Sequence, residues 1–379
     1  MSFVATEADR THLRRALEIA RGGLGRVSPN PTVGAVITGA GGELLGEGFH
    51  AELGGPHAEV AAIADVRARH GAAAANGATL YVTQEPCAHH GRQPPCTEAI
   101  LEAGLGRVVI GCDDPTDKAS GRGPGILRDE GVEVEFAEGA EAAAARLAVQ
   151  PFRKRARTGL PLVTLKSAVS LDGFTAAPGG DSRWISGPAS RALVHRWRAE
   201  ADAVAVGIGT ALADDPLLTA RDVADPDAVR QPVRVVFDSG ARLPLESALI
   251  GSLDRAPVYV FAATGADAAR VEALRGAGAE VIELAGDREA RLEAALAELG
   301  RREVGSLLVE GGAGLAGSLL DAGAVDEMRV FVAPLVLGAG MPLAAGAGPG
   351  RIADAARPLE VEWTPSGEDM LASARLREW

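Results

Sequence analysis

With 379 residues, 47% of them hydrophobic, the chain has material for two packed domains rather than one. Its formal net charge of -13 argues against a general binder of nucleic acid or of an anionic membrane surface, and no apolar run is long enough to span a bilayer. Three cysteines are too few, and odd in number, for a disulfide framework; they point to a reducing, cytoplasmic setting in which thiols serve a metal or catalysis.

The opening segment MSFVATEADRTHLRRALEIARGG has charges where a secretion signal needs an apolar run, so it reads as the first helix. VGAVIT is a short apolar strand, and GEGFHAE leads into a helix read from PHAEVAAIADVRARHG. Then come ATLYVT as strand, TEAILEAG as helix, RVVIGC as strand, GILRDEG as helix and VEVEF as strand. Strands alternating with helices predict a layered α/β domain. EGAEAAAARLAVQPFRKRARTG reads as a helix and a basic connector, which places one domain at 1–150 and a second at 159–379. The second repeats the alternation: strands at LPLVTLKSAVSLDG, ADAVAVG, PVRVVFD, APVYVFA, AEVIEL, VGSLLVEGG and EMRVFVAPLVLG, with helices such as SGPASRALVHRWRAEA and DREARLEAALAELG between them.

The fragments PHAEV and EPCAHHGRQPPC carry chemistry. Zinc accepts imidazole and thiolate, and a catalytic site uses three protein ligands with the fourth position left to water. His57, Cys87 and Cys96 supply such a set. His57 and Cys96 each follow proline where a helix should begin, and main-chain N–H groups there favour a thiolate over a thiol. Glu59, two residues past His57, is placed to take a proton from water and pass it to a departing amine. H-x-E followed by P-C-x-x-C marks the zinc deaminases, with Glu as acid/base rather than ligand; here the second cysteine is displaced, giving P-C-x8-C. The competing reading is a structural zinc knuckle closed by His89 or His90. Cys112 reads as a small buried residue.

This spacing resembles the bifunctional riboflavin-biosynthesis deaminase/reductase family, whose deaminase half carries a stretch like SPNPTVGAV, then HAE, then EPC-x-H-x-G-x-x-PPC. Gln84 departs from the pattern, because an apolar residue is expected before Glu85. The resemblance implies that Asn30 hydrogen-bonds the pyrimidine and that His50 lines the same pocket. Arg92, in the long loop between the cysteines, is expected to meet a substrate phosphate; a solvated loop arginine is the alternative.

The second half extends the resemblance: GGDSRWISGPASRALVHRWRAEADAVAVGIGTALADDPLLTAR, PVRVVFDSG and LLVEGGAGLAGSLL are similar to the family's reductase half, which has a dihydrofolate-reductase-like fold. The expected fold class is therefore α/β, a cytidine-deaminase-like three-layer domain followed by a dihydrofolate-reductase-like domain. Independently of the family, Gly312, Gly314 and Gly317 form G-x-G-x-x-G after a strand and before a helix read from AGSLLDAG, a turn that lets backbone approach a pyrophosphate. No acidic residue closes the next strand as an NAD-type ribose contact requires, which favours NADPH. By resemblance, Ala168, Trp184, Thr210, Asp214 and Ser239 contact the nicotinamide cofactor, and the run Gly312, Ala313, Gly314, Leu315, Ala316, Gly317 and Ser318 holds its phosphates. Ser182, Arg198, Leu218, Arg221 and Glu310 are implied to contact the sugar-phosphate substrate. Lys166, one of three lysines in the chain, points from a strand into that region and is expected to act electrostatically. Without the family, Trp184 reads as a core aromatic and His195 as structural.

The implied activity is zinc-dependent hydrolytic deamination of 2,5-diamino-6-(5-phosphoribosylamino)pyrimidin-4-one, followed by NADPH reduction of the ribosyl chain to ribityl. The alternative is a single-function nucleobase or nucleoside deaminase whose second domain only binds ligand. Expected partners are the pyrimidine ribosyl phosphate and a second copy of the chain, with no nucleic acid and no membrane.

Overall fold

The structure, a computed structural model, describes residues 6–91, 93–116, 120–221 and 230–379. The chain divides into two compact units, one running to Thr158 and including Trp379, the other Gly159–Glu378.

The first unit contains, in order, α1 (Glu7–Ala20), β1 (Gly34–Thr38), β2 (Leu44–Phe49), α2 (Ala58–His70), β3 (Thr79–Val82), α3 (Cys96–Glu102), β4 (Arg107–Ile110), α4 (Arg122–Asp129), β5 (Glu133–Phe136), α5 (Gly139–Ala148) and α6 (Gln150–Thr158). The basic stretch expected as a connector is thus helical. Among the described residues the strands form one sheet in the order β2-β1-β3-β4-β5, antiparallel through β1 and parallel from β3 to β5. The strand residues alternate between two cores. Ala35, Ile37, Leu80, Val108 and Ile110 pack under Ala62, Ile63 and Val66 of α2, Ile100 of α3 and Leu127 of α4. Val36, Tyr81 and Val109 face Leu13 and Ala16 of α1 and Ala142 of α5. This is the expected three-layer domain.

The sequence reading missed β2. Its LLGEGF carries glycines where strand formers are expected, and the reason is packing: a Cβ on Gly48 would lie 2.4 Å from the Ala62 nitrogen of α2. Glycine lets this helix, which carries the first site, lie directly on the strand.

The second unit contains β6 (Leu162–Ser170), β7 (Phe174–Ala176), α7 (Pro188–Glu200), β8 (Ala203–Gly207), α8 (Ile208–Asp214), β9 (Val233–Phe237), β10 (Val258–Ala263), α9 (Ala268–Gly276), β11 (Glu280–Leu284), α10 (Arg288–Arg301), β12 (Ser306–Glu310), α11 (Ala313–Asp321), β13 (Glu327–Ala333), β14 (Met341–Pro342), β15 (Glu360–Ser366) and β16 (Asp369–Arg375). The main sheet runs β11-β10-β9-β8-β12-β6-β13-β16-β15, parallel from β11 to β13 and antiparallel at β16 and β15; β7 and β14 form a separate pair. Valine-rich central strands, buried on both faces, suit a parallel sheet clothed by helices. α8 and α9 cover one face, α10 and α11 the other. The reading missed β7, β14 and the closing hairpin β15–β16. In the hairpin, β15 is exposed for most of its length, so its sequence carries no alternation between core and solvent.

Candidate active sites

In the first unit, His57 is the N-cap of α2, and Glu59 lies in that helix's first turn, only 3% exposed. Cys87 sits in the loop after β3, and Cys96 opens α3 behind Pro95. The three ligand candidates converge. His57 Nδ1 is 3.2 Å from Cys96 Sγ and 3.5 Å from Cys87 Sγ, and the sulfurs are 3.5 Å apart. Zinc bonds of about 2.0–2.3 Å put the corners of a tetrahedron about 3.3–3.8 Å from one another, so the triangle fits the ion. The charge argument agrees. The hydrogen bond from Cys96 pulls the Cys87 thiol down, and the same bond, with burial, pushes Cys96 up. Two adjacent thiolates need a dication to coexist. The Cys96 N–H, donating to Cys87 Sγ at 3.3 Å, adds main-chain support for the charge.

His57, Cys87 and Cys96 are the cluster of this kind among the described residues. His90 is exposed and turned to Glu98, 3.4 Å away, and His89 is exposed as well. A fourth histidine ligand therefore has no support, and a three-ligand set of the catalytic type remains. Burial, then the charge of Cys87, pushes the Glu59 carboxyl up to about 7, where it can both take and give a proton near neutrality.

Beside this centre, His50 donates from Nδ1 to the Pro56 carbonyl (2.9 Å) and accepts at Nε2 from the Asn30 amide (3.2 Å). The bond accepted from Asn30 requires a neutral ring, and burial lowers its affinity for a second proton. His50 meets His57 edge-on, with ring centroids 5.3 Å apart, so Asn30 and His50 do border the ligand cluster. Gln93 Nε2 donates to the Gly54 carbonyl (2.7 Å) and ties the cysteine loop to the segment before His57. Arg92 lies outside the described residues. The departure at Gln84 is accommodated by Asp114, whose Oδ2 accepts from its amide at 3.2 Å. Cys112 is buried, and burial pushes its thiol up to about 12, as suits an inert residue.

The second unit holds a cleft of about 1360 Å³ at the C-terminal ends of β6, β8, β9 and β12, where open parallel sheets take ligands. Ala168, Trp184, Thr210, Asp214, Ser239, Lys166, Ser182, Arg198, Leu218, Arg221 and Glu310 all line it. Gly311 and Gly312 have φ of +85° and +89°, and a Cβ on Gly312 would sit 3.2 Å from Thr210 Oγ1. That cradle, opening directly onto the start of α11, suits a pyrophosphate and so fits a dinucleotide.

Several expectations are corrected. The helix starts at Ala313, inside the glycine motif rather than after it. Ala316 and Gly317 do not line the cleft: Ala316 is in the core, and a Cβ on Gly317 would lie 2.4 Å from the Gly346 nitrogen. Trp184 is 68% exposed, with Arg191 stacked 4.6 Å over its ring, and is no core aromatic. Leu218 buries its side chain in the core with φ +55°, so what it can offer a ligand is main chain. Arg198 is committed: its Nε and Nη2 grip both oxygens of Glu310 (2.5 and 2.8 Å), and Nη1 donates to the Thr219 carbonyl (3.2 Å).

Lys166 and Glu310 are register partners on β6 and β12. Burial favours a neutral Lys166 and lowers it; the same burial would raise Glu310, but Arg198 and then Lys166 outweigh it and hold that carboxyl ionised. His195, read as structural, also lines the cleft, and its Nδ1 accepts the Arg221 N–H at 3.1 Å. Nothing local in VHRWR signals this, since the contact spans 26 residues of chain.

Together the two units make a pyrimidine deaminase of the zinc-dependent kind joined to a reductase that uses a nicotinamide dinucleotide. Residues 6–112 match the cytidine and deoxycytidylate deaminase zinc-binding region, and residues 161–371 match the RibD C-terminal domain. The chain is 40% identical over 327 residues to the riboflavin biosynthesis protein RibD of Bacillus amyloliquefaciens, covering 86% of this chain and 85% of that one. It is 38% identical over 342 residues to RibD of Escherichia coli (strain K12), covering 87% and 89%. Among solved structures, Acinetobacter baumannii RibD (form 1) superposes with a TM-score of 0.86 at 36% identity, over 98% of this chain and 99% of that one. A Thermotoga maritima diaminohydroxyphosphoribosylaminopyrimidine deaminase/5-amino-6-(5-phosphoribosylamino)uracil reductase gives 0.81 at 35%, with the same coverage.

The chain belongs to the RibD family, the bifunctional deaminase/reductases of riboflavin synthesis. Zinc serves its first half and NADPH its second. The match of the second unit to a reductase domain sets aside the single-function alternative. No helix among the described residues is long and apolar enough to cross a membrane.

Proposed function

We propose that the first unit deaminates 2,5-diamino-6-(5-phosphoribosylamino)pyrimidin-4-one at C2, and that the second reduces the deaminated product's ribosyl group to ribityl. The observation that carries the reading is the His57–Cys87–Cys96 triangle beside a buried, near-neutral Glu59. Zinc held by those three side chains supplies the Lewis acidity that makes water a nucleophile at neutral pH. Asn30, its amide fixed by His50, orients the ring. Glu59 accepts the water's proton and delivers it to the nitrogen, so that water and an amine become a carbonyl and ammonia.

In the second unit, Gly312, Ala313, Gly314, Leu315 and Ser318 would hold the pyrophosphate, and Ala168, Trp184, Thr210, Asp214 and Ser239 the rest of the dinucleotide. NADPH supplies the hydride that arrives at the sugar's C1. Lys166, set against Glu310, places positive charge and a proton where the oxygen leaving C1 gains electrons. Arg198 holds Glu310 in place for the sugar hydroxyls, and Arg221 and Ser182, which line the same cleft, meet the phosphate.

The chain further works as a homo-oligomer. Val361, Trp363 and Met370 leave an apolar face exposed on the β15–β16 hairpin, whose outer strand β15 ends the sheet. A second copy is the partner expected for such a self-complementary edge.

The test is to incubate the purified protein with the diaminopyrimidine phosphate, with and without NADPH, and follow ammonia and NADPH absorbance together. Ammonia should appear in both arms, and NADPH oxidation should follow it in one. NADPH oxidation without prior ammonia release would reverse the order of the steps.

A further inference from the structure

We propose that the corner of the reductase cleft where the turn after β9 meets the start of α10 is a second anion subsite. There Arg242, Arg288 and Arg291 select NADPH over NADH by gripping the phosphate on its adenosine 2′-oxygen. The proposal deepens the reductase reading and rests on it for the seating of a dinucleotide in the cleft.

All three arginines line the cleft. Arg291 Nη2 lies 3.5 Å from Ser239 Oγ, which joins α10 to the turn after β9, and Nη1 donates to the Gly286 carbonyl. Arg288 Nη2 donates to the Gly314 carbonyl at 2.5 Å, so its guanidinium lies against the glycine run that would take the pyrophosphate. Arg242 lies on the same turn as Ser239, half exposed, with Nε 3.3 Å from Asp238 Oδ1. A guanidinium has five N–H donors. The bonds of Arg288 and Arg291 go to neutral oxygens, so those charges are not cancelled by a carboxylate in contact.

The nearby acids accept from main chain, Asp321 near Arg288 from the Ala347 and Gly348 N–H groups, and among the described residues only Asp238 also pairs with one of the three guanidinia, that of Arg242. Asp287 accepts from the Ala290 N–H at 3.0 Å as the cap of α10. Asp238 is fully buried and accepts from the Leu243 N–H at 2.9 Å and from the Arg242 N–H. In a chain whose net charge is -13, three guanidinia gathered on one rim mark a place for a strongly negative ligand group.

The rest of the cleft says which group. The glycine cradle at Gly311 and Gly312 already accounts for a pyrophosphate. The arginine corner is a second cationic site, with Phe261, Ala262, Leu284 and Leu292 supplying apolar wall in the same cleft. A ligand with one pyrophosphate, an aromatic base and a separate phosphate dianion satisfies all three. NADPH has all three groups; NADH lacks the last.

The experiment uses the full-length enzyme and its Arg288→Ala, Arg291→Ala, Arg242→Ala and Arg288→Ala/Arg291→Ala variants. The dissociation constants of NADPH and NADH are measured by titration calorimetry, with ammonia release as the check on folding. Losing a charge-assisted pair should weaken NADPH about 10- to 100-fold in the Arg288 or Arg291 single variants and further in the double, with NADH moved by less than about threefold. Equal weakening of both nucleotides would mean that the arginines only pin the turns, and unchanged NADPH would place its phosphate elsewhere; either overturns the proposal. An unmutated enzyme that releases ammonia but binds neither nucleotide would instead overturn the reductase reading itself.

Discussion

Glu59 is a buried carboxyl that stands outside the His57–Cys87–Cys96 cluster. His57, two residues earlier, supplies the imidazole at the helix cap, and Glu59 stands in the first turn with a proton affinity near neutrality. Replacing it with glutamine keeps the shape and removes the proton relay. Glu59→Gln should therefore lose about 10²- to 10⁴-fold in the rate of ammonia release. Its zinc content by elemental analysis, and its NADPH oxidation on the pre-deaminated intermediate, should stay unchanged. Full-rate ammonia release from this variant would remove Glu59 from the mechanism.

The cluster of His57, Cys87 and Cys96 and the buried Glu59 near it were legible in the sequence because two short motifs with fixed spacing carry them. His195 and the arginines of α10 were not, because their contacts form only when distant strands and helices come together. The carried-over role of Arg198 changed for a related reason: a sequence shows an arginine but not the carboxylate already gripping it.

At the scale of elements, α1 is fastened by Asp9. In a capping box the Asp9 carboxylate accepts from the Thr6 N–H while the Asp9 N–H donates to Thr6 Oγ1, and the carboxylate also accepts from Tyr81 on β3 (2.9 Å) and Arg107 on β4 (2.8 Å). Burial alone would raise its carboxyl, but the bonds from Arg107, Thr6 and Tyr81 hold it well below the usual range. The folded value thus lies under the unfolded value of about 3.9, so this stabilisation is complete above about pH 4 and drains away as pH falls further. Asp9→Asn should cost on the order of 2 kcal/mol near neutrality, with the gap from the parent narrowing under acid, as followed by denaturant melts across pH. A gap that stays constant with pH would mean that the charge on Asp9 is not what matters. The strands and helices of both sheets could mostly be read from alternation; β2 could not, because the close approach of α2 demands glycine where a strand normally carries a side chain.

For the molecule as a whole, the hairpin β15–β16 is the feature the sequence hid most completely, since exposed strands have no buried face to set a pattern. If that face is where two copies meet, a charge in its middle should separate them. Trp363→Glu should shift the protein to monomer in light scattering while ammonia release persists; an unchanged mass would send the search for an interface elsewhere.

The bond from His50 to the carbonyl of Pro56, the residue just before His57, joins the ring proposed to line the pyrimidine pocket to the backbone that presents the imidazole. Occupancy at one place and affinity at the other are then reciprocal quantities, and each must change the other by the same factor. If the pyrimidine tightens the hold on the ion, more chelator should be needed at equilibrium to strip the enzyme when the pyrimidine is in place, and enzyme stripped of its ion should bind that pyrimidine more weakly by the same factor.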